Sequence, residues 1–221
     1  MDSKAYRFDE ATHTHYICKN GVNVIVPGIT TILKPLFNFS AVPDHILKAS
    51  CEYGSNVHKM VELYCMDALD TENLDPVLIP SLIGFKTWLE SMRFDKSDFI
   101  VELPMGDPTL MVACIPDIIL DGKLIVELKT RKCNQPTDSI QTCCQESVWK
   151  KNGGTRIKEY ERRVLTLNQD GSYDYVRVND KQSNNRFRLL LDHYWNNQTI
   201  QIYLFRKSKV YKTRTIREKS E

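Results

Sequence analysis

Apolar and polar positions along this chain repeat at two different periods, and the changes of period divide it into extended and helical stretches. Residues 5–27 read as a hairpin, because Tyr6–Tyr16 and Val22–Val26 are rich in β-formers and flank the strong turn dipeptide Asn20-Gly21. Pro27-Gly28 closes that unit, and Ile29–Leu36 can hold a short helix. Ser40, with Pro43 close behind, opens a helical region reaching about Asp70, in which Val57, Val61, Tyr64, Cys65 and Ala68 recur at helical spacing. A third helix is expected over Ile79–Arg93.

The middle of the chain changes character. Phe99–Leu103, Thr109–Leu120 and Lys123–Lys129 are apolar and β-branched, with Asp121-Gly122 between the last two. Helical spacing returns over Asp138–Lys151 through Ile140, Cys144 and Val148, and Asn152-Gly153-Gly154 stops it. Glu161–Leu167 and Tyr173–Val178 form a second hairpin around Gln169-Asp170-Gly171, followed by a helix over Arg186–Asn196 and a late strand over Gln201–Phe205. Helices, a strand group, a helix and more strands, in that order, predict one mixed α/β domain over residues 1–221, with 1–40 as an N-terminal lead-in and 206–221 as a basic tail.

Composition narrows the function classes. Hydrophobic residues make up 42% and charged residues 26%, which is ordinary for a chain with a sizeable core. A net charge of +2 argues against a protein that coats nucleic acid indiscriminately, although a local basic groove offset by an acidic site would sum to the same value. The seven cysteines form no C-x-x-C pair and sit mostly in apolar stretches, so neither a disulfide framework nor a zinc ribbon is expected, and a reducing cytosol fits. Met1–Lys4 lacks the apolar run of a signal peptide, and no stretch is long and apolar enough to suggest a membrane span.

The informative chemistry lies in Pro116-Asp117 and Glu127-Leu128-Lys129. Charges within an apolar strand are costly unless paired or bound to a cation. Glu127 and Lys129, two apart, share one strand face, while Leu128 points the other way. A two-residue turn at Asp121-Gly122 would set Asp117 opposite Val126, so a three-residue or bulged turn, with Gly122 supplying a positive φ, is expected, and it brings Asp117 onto the face of Glu127. Two carboxylates on one face suit a hard cation such as Mg²⁺ or Mn²⁺, which lowers the pKa of a bound water and offsets phosphate charge. A surface ion pair at a strand end is the plainer explanation of the same three residues.

Proline-aspartate followed by Glu-x-Lys across a hairpin resembles the PD-(D/E)XK nuclease superfamily. Gly54-Ser55-Asn56-Val57-His58 and Gln141-Thr142-Cys143-Cys144-Gln145 look like the helical histidine and glutamine motifs of its RecB-like and phage-type exonuclease branch. The lead-in Tyr6-x-Phe8-Asp9, His15-Tyr16 and Val26-Pro27-Gly28-Ile29-Thr30-Thr31-Ile32-Leu33 is also similar to that branch. Two features depart from its pattern: Cys114-Ile115 stands where a nearby glycine is common, and the aromatic residue expected four after the glutamine is Gln145, with Trp149 offering a shifted register.

The resemblance implies a restriction-endonuclease-like α/β core with a central mixed sheet flanked by helices. It implies a DNA nuclease acting as an exonuclease in phage-type recombination or processing, in the cytoplasm, or the host cytoplasm for a phage-encoded chain. One or two Mg²⁺ or Mn²⁺ ions would be held by His58, Asp117, Glu127 and the Leu128 carbonyl. Lys129 and Gln141 would complete the catalytic group. Gln141, Gln145, Thr130, Arg131 and Lys132 would meet the DNA. Glu102 would be an additional ligand, no iron–sulfur cluster is expected, and a recombinase or single-strand-binding protein would be the partner.

Each supporting residue has a plainer explanation. His58 flanks an apolar stripe, where a histidine is ordinarily a satisfied core residue. The glutamines fit solvated positions, and Glu102 a surface one. His13 and His15 share a face of the expected first strand, a spacing that can bind metal but more often marks an exposed strand. The tail cations Arg206, Lys207, Lys209, Lys212, Arg214, Arg217 and Lys219 can follow a phosphate backbone or simply be solvated. An endonuclease of the same superfamily and a non-catalytic nucleic-acid-binding module are the rival readings.

Overall fold

The computed structural model describes residues 6–197, so the expected late strand Gln201–Phe205 and the basic tail lie outside the described residues. It is a mixed α/β fold with a central mixed sheet flanked by helices. Instead of one long first strand, the N-terminal unit has β1 (Tyr6–Asp9) and β2 (Thr14–Lys19) joined by a turn at 10–13, and then β3 (Val22–Val26). Lys19 pairs with Val22 across Asn20-Gly21, and both turn residues have positive φ, 53° and 77°, as a two-residue hairpin of this twist requires.

The central sheet consists of Tyr173–Arg177 (β10), Glu161–Leu167 (β9), Leu124–Lys129 (β8), Ile118–Leu120 (β7) and Ile100–Val101 (β4), in that spatial order. Neighbours are antiparallel except β8 and β9, which run parallel across the crossover helix α4 (Gln135–Lys151). The expected strand over Thr109–Leu120 is broken: Val112–Cys114 (β6) pairs with the unanticipated β5 (Met105–Asp107), and Pro116 lies in the gap before β7. The remaining helices are α1 (Ile29–Leu33), α2 (Asp44–Cys65), α3 (Ile79–Met92) and α5, residues 183–197.

Strand β8 is buried on both faces. Leu124, Val126 and Leu128 pack with Val57 and Val61 of α2 and with Phe85 and Trp88 of α3. Ile125 on the opposite face packs with Ile140, Cys144 and Val148 of α4 and Ile29 of α1. A strand covered in this way reads as a nearly continuous apolar run, which is why Glu127 stands out within it. The N-terminal sheet joins the core through Gly28, bridged to Ala113, and through Gly106, where a Cβ would come within 2.5 Å of the Tyr6 ring.

The β7–β8 turn is anchored by Asp121. Its carboxylate accepts from the Gly122, Trp149, Thr155 and Tyr160 donors at 2.6–3.0 Å and from the Thr155 hydroxyl at 2.7 Å. Burial alone would raise its pKa, but these donors hold it well below the usual carboxylate range. A depressed folded pKa contributes stability above the unfolded value of about 3.8, lost as pH falls through the folded pKa. Asp121→Asn is therefore expected to cost about 1 kcal/mol at pH 7, after allowance for solvent screening. Urea titrations should show the gap to wild type closing as pH falls below about 4; a gap independent of pH would sink this account.

Candidate metal and active site

The register of β7 and β8 decides which side chains meet. Leu120 pairs with Leu124, leaving Asp121-Gly122-Lys123 as a three-residue turn with Gly122 at φ 69°. This is the parity that the sequence required. Ile118 pairs with Val126, so the next step of the ladder sets Asp117 against Glu127 on the face of Ile125 and α4.

Asp117 is almost sealed, and its two oxygens have different duties. The Leu128 backbone N–H donates to Oδ2 at 2.6 Å, which aims Oδ1 at His58 Nδ1, 3.1 Å away. His58 arrives from α2, which passes the end of β8 with Gly54 beside Thr130; a Cβ on Gly54 would lie 3.6 Å from the threonine hydroxyl. Glu102 follows β4 with φ 45°, a conformation costly for a residue with a Cβ. Its backbone N–H donates to the Asp117 carbonyl, and its Oε1 sits 3.5 Å from His58 Nδ1. Ligand atoms of His58, Glu102 and Asp117 all fall within 4.8 Å of one another. Two carboxylates and an imidazole at that spacing fit a divalent cation of the Mn²⁺ or Mg²⁺ kind.

Glu127 borders this group but is already engaged. Lys129 and Gln141 donate to its Oε1, the glutamine at 2.5 Å, and Gln145 donates to Oε2 at 2.7 Å. Gln145 is 0% exposed, so it orients Glu127 from within the core and does not reach a substrate. Gln141 touches both Glu127 and, at 3.4 Å, Lys129. Leu128 buries its side chain in the α2–α3 core and serves the site through its N–H.

The charges explain one another. Burial would lower the His58 pKa, yet Asp117, Glu102 and Glu127 outweigh it and keep the ring protonated well above its usual range. Burial raises Glu102 to about 7, helped by Asp117 and Glu127 and opposed by His58. Asp117, which burial would also raise, is held low by His58, Lys129 and the Leu128 N–H. Burial and the Asp117 charge push Glu127 up against the pull of Lys129 and Gln145. Burial would deprotonate Lys129, but Glu127, Asp117 and Asp138 keep it an ammonium ion. Without a cation, the negative charge of the cluster is balanced by an imidazolium and an ammonium; a divalent ion would take the place of the His58 proton, because only the neutral ring can act as a ligand.

The other expected DNA contacts lie differently. Arg131 is committed to buried Asp138 through both terminal nitrogens, at 2.6 and 3.2 Å, and to the Lys132 carbonyl. It shapes the loop into α4 instead of projecting freely. Thr130 is half-buried beside α2, and Lys132 is exposed. The cleft at the site, about 250 Å³, is also lined by His13, His15 and Thr30 from the N-terminal unit. Nothing local to His15 marks this position, because its partners, Tyr6 and Gly28, are separated from it along the chain. His13 proves to lie in the β1–β2 turn and not on a strand.

No family model and no curated protein sequence matches the chain. Among solved structures it is similar to an alkaline exonuclease from Laribacter hongkongensis, with 13% identity, a TM-score of 0.38, and coverage of 68% of this chain and 83% of that one. Among the described residues, no helix is long and apolar enough to cross a membrane. The chain itself is a mixed α/β protein whose central sheet brings His58, Glu102 and Asp117 together beside the Glu127–Lys129 pair.

Proposed function

We propose that this chain is a metal-dependent deoxyribonuclease that hydrolyses phosphodiester bonds, acting as an exonuclease in DNA recombination or processing of the phage type. The observation that carries the reading is the convergence of His58, Glu102 and Asp117 on one point, with the Lys129 ammonium one strand position beyond Leu128. A purely binding module has no use for an acidic cluster facing polyanionic DNA.

His58, Glu102 and Asp117 would hold the divalent ion, with Glu127 and the Leu128 carbonyl at its border. When bound, such an ion activates a water molecule and neutralises charge on the phosphate. Lys129 orients the attacking water and offsets charge developing on phosphorus oxygens. Gln141 and Gln145 fix Glu127, and Glu127 fixes Lys129, so the ammonium is placed before substrate arrives. Water attacks phosphorus, the P–O3′ bond breaks, and a proton passes to the departing oxygen, leaving a 5′-phosphate and a 3′-hydroxyl.

The test is digestion of end-labelled linear DNA and of covalently closed circles with Mg²⁺, Mn²⁺ or EDTA. Expected is cleavage of linear DNA with either metal, none with EDTA, and resistance of the circles. Attack on closed circles would make the protein an endonuclease. Folded protein that cuts nothing with either metal, or cuts equally well in EDTA, would overturn the nuclease reading.

A further inference from the structure

The cleft has a second wall that the proposed chemistry does not use. It is built by the N-terminal sheet and carries rings where the opposite wall carries carboxylates and an ammonium. His13 and His15 are the rings that line the cleft, and Phe8 supports both: the His15 ring stacks on it at 4.8 Å with planes 28° apart, and Phe8 and His13 meet edge to face at 5.2 Å and 86°. Tyr6 lies nearly parallel to His15 at 6.1 Å, and its hydroxyl pairs with His15 Nδ1 at 2.8 Å. The wall is therefore assembled in advance.

His15 and His13 play different parts in it. Burial, with His13 nearby, lowers the His15 pKa to about 4, so the ring is neutral near pH 7. With Nδ1 engaged by Tyr6, Nε2 lies beside Gly28, 3.5 Å from where a Cβ would stand, and it makes no hydrogen bond to another described residue. His13 is exposed, and its backbone is left-handed at φ 49°. Histidine and asparagine are both among the side chains that most readily adopt that conformation, so the turn itself does not demand an imidazole.

We propose that this wall is a subsite for one unpaired nucleobase of the DNA strand, which stacks on the His13 ring and presents its edge to His15 Nε2, while the adjoining phosphate lies at the Lys129 side of the cleft. The inference rests on the nuclease reading and deepens it. A base inside a duplex has both faces covered and cannot enter such a subsite, so the substrate class becomes single-stranded DNA or frayed ends. Stacking of this kind tolerates any base, because each has a π-face.

His13→Asn tests the subsite, since asparagine accepts the left-handed backbone but has no ring. Binding is read by fluorescence anisotropy in Ca²⁺ with a single-stranded oligonucleotide and the same oligonucleotide made abasic near its ends. On the intact strand the variant should bind roughly 10-fold more weakly than wild type, the scale of one lost stacking contact. Wild type should lose a similar factor on the abasic strand, where the two proteins should agree within about twofold. An unchanged thermal midpoint and an unchanged Mn²⁺-induced shift in that midpoint would confine the effect to the subsite.

Equal affinity of variant and wild type for the intact strand would overturn the proposal. So would an equal loss on the abasic strand, which would mark a phosphate contact instead. Either result in a protein that still cleaves DNA removes the subsite alone; failure of wild type to bind any oligonucleotide removes the nuclease reading with it.

Discussion

Lys129→Ala should reduce DNA cleavage by at least about 100-fold while leaving oligonucleotide affinity within a few-fold of wild type, the loss typical of removing one preorganised charge stabiliser. The side chain is 16% exposed and is held on Glu127, with Gln141 at 3.4 Å. Its ammonium is therefore positioned by the protein and not by the DNA. Burial opposes its charge, but Glu127 and Asp117 more than compensate, so it acts as a donor and electrostatic partner and not as a general base near neutral pH. Arginine should rescue poorly, because its planar fork cannot replace a compact ammonium beside Glu127. Truncation also leaves Glu127 buried without its cation, so the metal-free variant should melt below wild type. Single-turnover rates paired with anisotropy separate the two effects. A Lys129→Ala protein that cuts at the wild-type rate would remove the mechanism.

Much of this was legible in the sequence because it follows from local rules. Asn20-Gly21 specified its turn, and Asp121-Gly122 allowed the three-residue turn that parity demanded. The spacing of Glu127 and Lys129 placed both on one face once β8 was read as a buried strand. What was not legible depends on contacts distant along the chain. Nothing near Gln145 indicates that its partner is Glu127, 18 residues earlier and across the layer between sheet and helix. Arg131 looked like a free cation because Asp138 lies beyond a loop, and only the fold of 130–134 closes the pair. Glu102 ended a plausible surface strand, and its left-handed backbone, which turns the carboxylate toward His58, has no local signature. The β5–β6 hairpin was missed because its strands are three residues each, too short for a two-residue period to register.

The same division between local and distant determinants shapes the site. Asp117, immediately before β7, and Glu127 of β8 are set by the register of two adjacent strands, whereas His58 is delivered by α2 and Glu102 by the segment just after β4. A cation bound among them would tie both outer elements to the central sheet, so occupancy should be readable as stability and not only as activity.

Asp117→Asn therefore has the second large effect expected, and it can be followed without substrate. The substituted amide would keep the shape of the carboxylate and could still accept from the Leu128 N–H, which donates to Oδ2 at 2.6 Å in the parent, but it would carry no charge toward the cation. Mn²⁺ at a hundredfold excess over its dissociation constant stabilises a binding protein by about 2.7 kcal/mol. A variant binding a hundredfold more weakly would gain only about 0.4 kcal/mol at the same concentration. The Mn²⁺-induced rise in thermal midpoint should accordingly shrink to near nothing, with cleavage lost in parallel. Metal-free stability should change far less, because two consequences oppose each other. The ion pair with His58 at 3.1 Å is lost, while the repulsion that raises the pKa of both Glu102 and Glu127 is relieved. A full Mn²⁺ shift in Asp117→Asn would mean that the cation, if bound, sits elsewhere, and the assignment of His58, Glu102 and Asp117 as its ligands would fall.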